Sequence, residues 1–310
     1  MRAKSTLLPL IMVLGAWEWG LFSCDSAAAA QKSSCNRACL TGYVDRYLEA
    51  LVKHDPKAAP LAANARFTEN GLTAAFSEGL WKTAIAVKAR QYFLDPSTGQ
   101  AACFGVVDEG SQLTIFGLRL KIDGQKITEI ETLVARKGAH PLFAPEALFV
   151  PPPLFAKALK PRERVSRKNL IGAADNYFNA IEQHDGNVAP FDPQCARFEN
   201  GVQTTGNPQI NSPLGCQEGM QLFTYIPTVR DRRYPIVDEE RGLIFSIIVF
   251  DMPGTATTAV INGKTVELTE SQRLKRSLLL MEVFKVVGGR ILQIEAFMCN
   301  RPFGAPSGWN

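Results

Sequence analysis

The chain has 310 residues, 46% of them hydrophobic and 21% charged. That balance excludes a disordered or fibrous chain, and the length points to two domains, since one domain takes ~100–200 residues. Thirty-four basic and 30 acidic residues leave a net charge of +4, too even to suggest nucleic acid as the partner.

Residues 1–30 read as a secretory signal. Arg2 and Lys4 supply its positive end, residues 7–17 are an apolar run, and Ala28-Ala29-Ala30 fits small-residue cleavage. The run falls short of the ~20 apolar residues of a spanning helix, and Glu18 interrupts it, so no stable membrane span is expected. The expected location is periplasmic or extracellular. A lipoprotein is the alternative, because Leu21-Phe22-Ser23-Cys24 loosely follows a lipobox.

Cleavage after Ala30 leaves Cys35, Cys39, Cys103, Cys195, Cys216 and Cys299. An even number of cysteines in an exported chain favours disulfides. Cys195–Cys216 is the best single pairing; Cys35 and Cys39 pair with each other or with Cys103.

The chain repeats itself. Tyr47-Leu48-Glu49-Ala50-Leu51-Val52-Lys53-His54-Asp55 recurs as Tyr177-Phe178-Asn179-Ala180-Ile181-Glu182-Gln183-His184-Asp185. Ala65-Arg66-Phe67-Thr68-Glu69-Asn70-Gly71 recurs, one residue shorter, as Ala196-Arg197-Phe198-Glu199-Asn200-Gly201. Glu78-Gly79-Leu80 matches Glu218-Gly219-Met220, Val107-Asp108-Glu109 matches Val237-Asp238-Glu239, and residues 124–131 match 288–295. A duplicated domain is indicated; a solenoid would repeat every ~20–50 residues.

Each copy opens on a helix. Val44, Tyr47, Leu48, Leu51 and Val52 share one helical face, as do Ala174, Tyr177, Phe178 and Ile181. Strands follow. Residues 113–122 and 126–134 flank Asp123-Gly124, read as a hairpin turn, and residues 279–287 and 290–298 flank Gly288-Gly289. The expected fold class is α+β: two tandem barrels, each an N-terminal helix with a curved antiparallel sheet. Residues 138–165 form a proline-rich linker, expected to be extended and to lie against the domains through Leu142, Phe143, Leu148, Phe149 and Phe155. The repeat offset grows toward the C-terminus. It implies a 34-residue insertion at about 251–278 in the second copy, holding an Asn262-Gly263 hairpin arm: a lid, a strand for a partner subunit, or a surface loop.

The motifs Tyr47-Leu48-x-Ala50-Leu51-x-x-His54-Asp55, Arg66-Phe67-x-Glu69-Asn70-Gly71 and Glu78-Gly79-Leu80-Trp81 resemble the opening of the nuclear transport factor 2-like superfamily. More narrowly, the chain resembles tandem SnoaL-like secreted proteins, over residues 36–137 and 166–303. The resemblance implies a cone-shaped barrel with a pocket at its open end. Activities in that superfamily include scytalone dehydratase, ketosteroid isomerase, polyketide cyclases, epoxide hydrolases and lignin-fragment lyases; several members only bind ligands or mediate assembly.

No G-x-S-x-G, P-loop, G-x-G-x-x-G after a strand or H-E-x-x-H occurs, so neither a cofactor nor a metal is expected. Carboxylates in apolar strands are the stronger candidates. Alternation puts Glu131 on the face of Ile127 and Leu133, and Glu295 on that of Ile291 and Phe297. A carboxyl desolvated there titrates near neutral pH and can move a proton. Glu69 and Glu199, each before Asn-Gly, can pair with Arg66 and Arg197 across a bend, or act as acid–base groups. His54 and His184 suit helix C-termini; His140, after the last strand of the first copy, is a candidate base or a loop residue.

The expected activity is a cofactor-free lyase, dehydratase or isomerase acting on a small apolar or aromatic molecule. The first copy is its expected seat. Glu69, Glu131 and His140 would be the acid–base groups, Asn70 an oxygen donor, and Trp81, Tyr92, Phe104, Phe116 and Arg66 the substrate wall. Arg197, Glu199, Asn200 and Glu295 are the counterparts in the second copy. Arg230-Asp231-Arg232-Arg233-Tyr234 reads as a solvated basic loop or an anion holder. A non-catalytic binding or assembly protein is the alternative, and the barrels are expected to pair within the chain or in a homodimer.

Overall fold

Asn36 caps the helix that opens the first half. Its side chain accepts from Cys39 N at 3.0 Å, and helix α1 runs Arg37–Val52 with the Cys35–Cys39 disulfide across its first turn. The computed structural model describes Met1, residues 35–210 and residues 212–309; residues 2–30, where a secretory signal is expected, lie outside the described residues. Leu40, Tyr43, Val44, Tyr47, Leu48 and Leu51 form the buried face of α1, and His54 ends the turn in a left-handed conformation (φ 53°).

Strand β1 (Leu61–Glu69), β2 (Leu72–Thr73), a single helical turn α2 (Leu80–Thr83), β3 (Ala86–Asp95), β4 (Gln100–Asp108), β5 (Leu113–Asp123) and β6 (Lys126–Ala135) follow. They form one curved sheet in the order β2-β1-β6-β5-β4-β3. It is mixed rather than antiparallel as expected, because β1 runs parallel to β6. The β5–β6 turn lies one residue beyond the expected Asp123-Gly124: Asp123 pairs with Lys126, and Gly124 and Gln125 carry the positive φ values of 53° and 64°.

The linker is not extended throughout. Prolines at first-turn positions start helical turns at Pro145–Leu148, α3 (Pro153–Ala156) and Pro161–Glu163, where their missing N–H is no loss. Helix α4 (Arg167–Gln183) then opens the second half, capped by Ser166. It is followed by β7 (Phe191–Glu199), β8 (Val202–Gln203), α5 (Cys216–Gly219), β9 (Thr228–Asp238), β10 (Leu243–Met252), the hairpin β11 (Thr258–Ile261) and β12 (Lys264–Glu267), β13 (Arg276–Val287) and β14 (Arg290–Arg301). The sheet order β8-β7-β14-β13-β10-β9 repeats that of the first half, with β7 parallel to β14.

Strand register corrects the repeat alignment. Asp95 faces Gln100 as Asp238 faces Leu243, so β3 and β4 correspond to β9 and β10 at an offset of 143. Val107-Asp108-Glu109 ends β4 whereas Val237-Asp238-Glu239 ends β9, so that sequence match is not a structural one. Gln100 faces Lys121 as Leu243 faces Lys285, which puts β5 and β13 at an offset of 164. The hairpin arm therefore accounts for 21 of the extra residues, not 34. It folds back on its own half: Thr224 Oγ1 donates to Thr258 O at 3.0 Å, and Asn262 N donates to Gln221 Oε1 at 2.9 Å.

Each sheet is buried on both faces, which is why its central strands read as near-continuous apolar runs. One face packs on the sheet's own helix: Phe116, Leu118, Leu120, Ile130 and Val134 against α1, and Ile244, Ile248, Leu280, Phe284 and Ile294 against α4. The other faces pack on each other through Phe93, Phe104, Leu133, Phe245, Met281 and Phe297, with Phe155 of the linker added. Phe104 and Phe297 stack at 4.0 Å. Both halves thus pair inside one chain, within a compact unit spanning residues 34–310.

Cys195–Cys216 forms as expected and ties β7 to α5. Cys103 and Cys299 are free thiols, and burial pushes both up to about 12. Among the described residues no helix is long and apolar enough to cross a membrane.

Candidate functional site

The space between sheet and helix is filled differently in the two halves. In the first half the filling is apolar. Trp81 is 1% exposed; its ring meets Tyr47 edge-on at 5.3 Å and Phe76 at 5.0 Å, and its Nε1 donates to Tyr47 Oη at 2.8 Å. Phe67 stacks on Phe76 at 5.1 Å, and Phe116 joins the same core. Trp81 and Phe116 are therefore core, not a substrate wall.

The other first-copy candidates are structural for specific reasons. Glu69 accepts from Leu80 N at 2.9 Å and so caps α2; burial raises its pKa. Asn70 has both amide atoms engaged by Val134, accepting from its N at 2.7 Å and donating to its O at 3.2 Å, so it is not a free oxygen donor. Asn200 does the same with Met298. Arg66 turns away from Glu69, donates to Gly308 O, and stacks on Trp309 at 4.1 Å. Tyr92 Oη donates to Asp45, and Phe104 lies between the two sheets. His54 Nδ1 bonds Trp81 O at 2.6 Å, a structural contact.

Glu131 is the clearest correction. A bulge in β6 moves Ile127 to the helix side, so Glu131 shares a face with Leu133 only, and that face meets the other sheet. There Arg119 donates to it at 3.0 Å and Arg233 donates twice, at 2.9 and 2.6 Å. It is a neutralised interface carboxylate. A register break between Ile291 and Gln293 likewise sends Ile291 to the helix side, and places Glu295 between the sheets beside Phe297. The basic run 230–233 is neither solvated nor free: Arg230 pairs with Asp251 and Asp231, Arg232 with Asp175 and Glu182, and Arg233 with Glu131.

The second half replaces the apolar filling with polar groups. Ile130 faces Phe67 in the first half, and its counterpart Ile294 faces Arg197. Arg197 thus stands where Phe67 stands, although the sequence aligns it with Arg66. Its Nε lies 2.9 Å from Glu199 Oε1 and donates to Thr204 Oγ1 at 3.1 Å, and its guanidinium covers the Phe223 ring at 4.8 Å. Glu282 of β13 takes the position of Leu118. It is 1% exposed, its Oε2 has no hydrogen-bond partner among the described residues, and Tyr177 and Arg197 lie against it.

Burial, with the Glu199 carboxylate adding to it, pushes the Glu282 carboxyl up to about 8 against the opposing pull of Arg197 and Tyr177. Burial raises the Tyr177 hydroxyl well above the ordinary value and Tyr225 to about 12. His140 belongs here and not at the mouth of the first half. It is 8% exposed, accepts from Leu142 N at 3.2 Å, and faces Glu199 and Arg276; burial lowers its pKa. A carboxyl, a phenol and a guanidinium converge, and the Glu199 side chain beside Arg197 is 18% exposed. This constellation can donate a proton, take it back, and hold an oxygen anion.

Glu282 was not singled out from sequence. The signal was present: a lone carboxylate in Leu278-Leu279-Leu280-Met281-Glu282-Val283-Phe284, the same pattern that drew attention to Glu131.

A family model described as "Domain of unknown function (DUF8021)" matches residues 33–134 and 163–298, so the chain belongs to that family and carries its domain twice. Among solved structures, the chain is similar to a de novo designed protein with curved beta-sheet at 18% identity, over 33% of this chain and 89% of that one, with a TM-score of 0.28. It is similar to a protein of unknown function with cystatin-like fold from Methylobium petroleophilum PM1 at 16% identity, over 35% and 84%, with a TM-score of 0.29. A putative isomerase from Bacillus subtilis matches at 7% identity, over 43% and 89%, with a TM-score of 0.28. A search of curated proteins gave no match.

Proposed function

We propose that this is an exported protein of the nuclear transport factor 2-like superfamily, and that its second half carries a cofactor-free acid–base site of the lyase, dehydratase or isomerase kind. The observation that carries the reading is Glu282: a carboxyl 1% exposed, in an apolar strand, with one oxygen unpartnered and Tyr177 and Arg197 beside it. A group titrating near 8 holds its proton at neutral pH yet releases it at small cost, as proton transfer to and from carbon requires. Arg197 stabilises negative charge on a substrate oxygen as it develops, and Tyr177 donates a hydrogen bond. The substrate is a small, largely apolar carbonyl compound or alcohol, because Phe178, Phe223 and Phe284 surround the polar groups. Export rests on the N-terminal segment and on the two disulfides.

The test is deuterium incorporation from D2O into a panel of enolisable aryl ketones and β-hydroxycarbonyl compounds, followed by NMR. Incorporation by the wild type, lost in Glu282→Gln and kept in Glu131→Gln, supports the reading. Equal incorporation by wild type and Glu282→Gln rejects it. A binding or assembly role is the second reading, favoured by the first half, whose interior is filled by Trp81.

A further inference from the structure

Two cavities lie at the junction of the halves, on the side away from the Glu282 cluster. The inner one, about 10 Å³, has room for a single water or hydroxyl and is lined by Gln91, Phe104, Leu148, Pro151, Pro152, Glu295 and Phe297. The outer one, about 320 Å³, is lined by Arg37, Arg90, Arg241, Tyr92 and Pro151 to Pro153 among others. They share Gln91, Pro151 and Pro152, so the small cavity is the floor of the large one.

The floor is unsatisfied. Among the described residues, Glu295, 3% exposed, has no partner for its Oε2, and the buried Gln91 Nε2 has none either. Both residues line the same hydroxyl-sized space, where one O–H group can donate to Glu295 and accept from Gln91. The wall is cationic. Arg37 is held by Asp238 and Glu240, and Arg90 by Asp45, but among the described residues the Arg241 side chain makes no ion pair. Among the described residues no carboxylate lines the outer cavity.

The pseudo-symmetric position makes the contrast. There Glu131 is neutralised by Arg119 and Arg233, and the C-terminal Trp309 covers those two arginines at 5.5 and 5.8 Å. At Glu295 the Arg119 position is Val283 and the Arg233 position is Gln91, and no aromatic plug is present among the described residues. One groove is closed by the chain itself; its twin keeps unpaired polar groups and open volume.

We propose that this groove binds a small hydroxylated organic anion, its acid group at Arg241 and Arg90 and its hydroxyl on the floor between Glu295 and Gln91. The volume suits a compact ligand with an apolar body against Tyr92 and the prolines.

Isothermal titration of the full chain tests this with 4-hydroxybenzoate, benzoate and inorganic phosphate as probes. We expect 4-hydroxybenzoate to bind, benzoate to bind about 3- to 10-fold more weakly, and Arg241→Ala to weaken both by about tenfold or more. Glu295→Leu, which removes a buried unpaired carboxyl and so leaves folding intact, should erase the preference for the hydroxylated probe. Glu282→Gln should change none of these values, which separates this site from the acid–base cluster. No binding below about 10 mM, binding of phosphate alone, a preference that survives Glu295→Leu, or affinity indifferent to Arg241→Ala would each overturn the proposal.

Discussion

Arg233 of the second half donates two hydrogen bonds, at 2.9 and 2.6 Å, to Glu131 of the first. The Glu131 side chain is only 4% exposed, so the pair is a buried electrostatic tie across the junction. Removing one partner of such a pair leaves a desolvated charge, at a cost of about 3–5 kcal/mol. Since Arg119 remains to hold Glu131, we expect Arg233→Ala to lose about 3 kcal/mol in urea denaturation. Arg90→Ala, which breaks the exposed Asp45 pair, should lose less than about 1 kcal/mol.

A second tie is reciprocal. Arg37 at the start of α1 reaches Asp238 at the end of β9 at 2.6 Å, and Arg167 at the start of α4 reaches Asp95 at the end of β3 at 2.7 Å. Both aspartates are 2% exposed at the side chain. Residues with Arg37's register in the repeat thus grip the opposite half from both sides. Asp95→Asn should destabilise the chain by about 1–3 kcal/mol, and combining it with Asp238→Asn should depart from simple addition, because Asp95 also accepts from Val237 N at 3.2 Å, next to Asp238.

The Cys195–Cys216 bridge closes a loop with sequence separation 21, which in the chain-entropy picture stabilises by about 3 kcal/mol. Cys35–Cys39, with a separation of 4, contributes about 2 kcal/mol on the same relation. The double variant Cys195→Ser, Cys216→Ser should therefore melt well below the wild type. Cys35→Ser, Cys39→Ser should melt below the wild type by a smaller margin; a reversed ranking would contradict the loop-closure account.

Buried carboxyls give stability a definite pH slope. Glu282 is raised from 4.5 to about 8 and Glu295 to about 7 in the folded chain, each chiefly by burial. A raised carboxyl binds its proton more tightly folded than unfolded. Its contribution is complete below pH 4.5 and is lost as pH rises through the folded value. Glu282→Gln should therefore gain on the wild type between pH 5 and 8, by an amount on the order of 2–4 kcal/mol. Unfolding free energies at a series of pH values check this, and a constant difference across that range would refute it.

Much of the fold was legible in the sequence, because it follows from local chemistry. Helical faces set α1 and α4, Gly288-Gly289 and Asn262-Gly263 set hairpin turns, and the recurrence of Tyr47 to Asp55 set the duplication. Geometry that depends on partners was not. Alternation gave Glu131 a face, but a bulge moved its neighbour Ile127, and only the packing of sheet on sheet says that the face meets arginines. The Arg-Phe motif misaligned Arg197 with Arg66, and register alone shows that it replaces Phe67. That single substitution, with Leu118 giving way to Glu282, turns an apolar interior into a polar one.

The titration of Glu282 tests this most directly. With glutamate carboxyl carbons labelled with carbon-13, and the Glu282 signal assigned by its loss in Glu282→Gln, the midpoint should lie near 8. A midpoint close to the ordinary carboxylate value of 4.5 would mean a solvated or fully paired group, and the second half would have no proton to give at neutral pH.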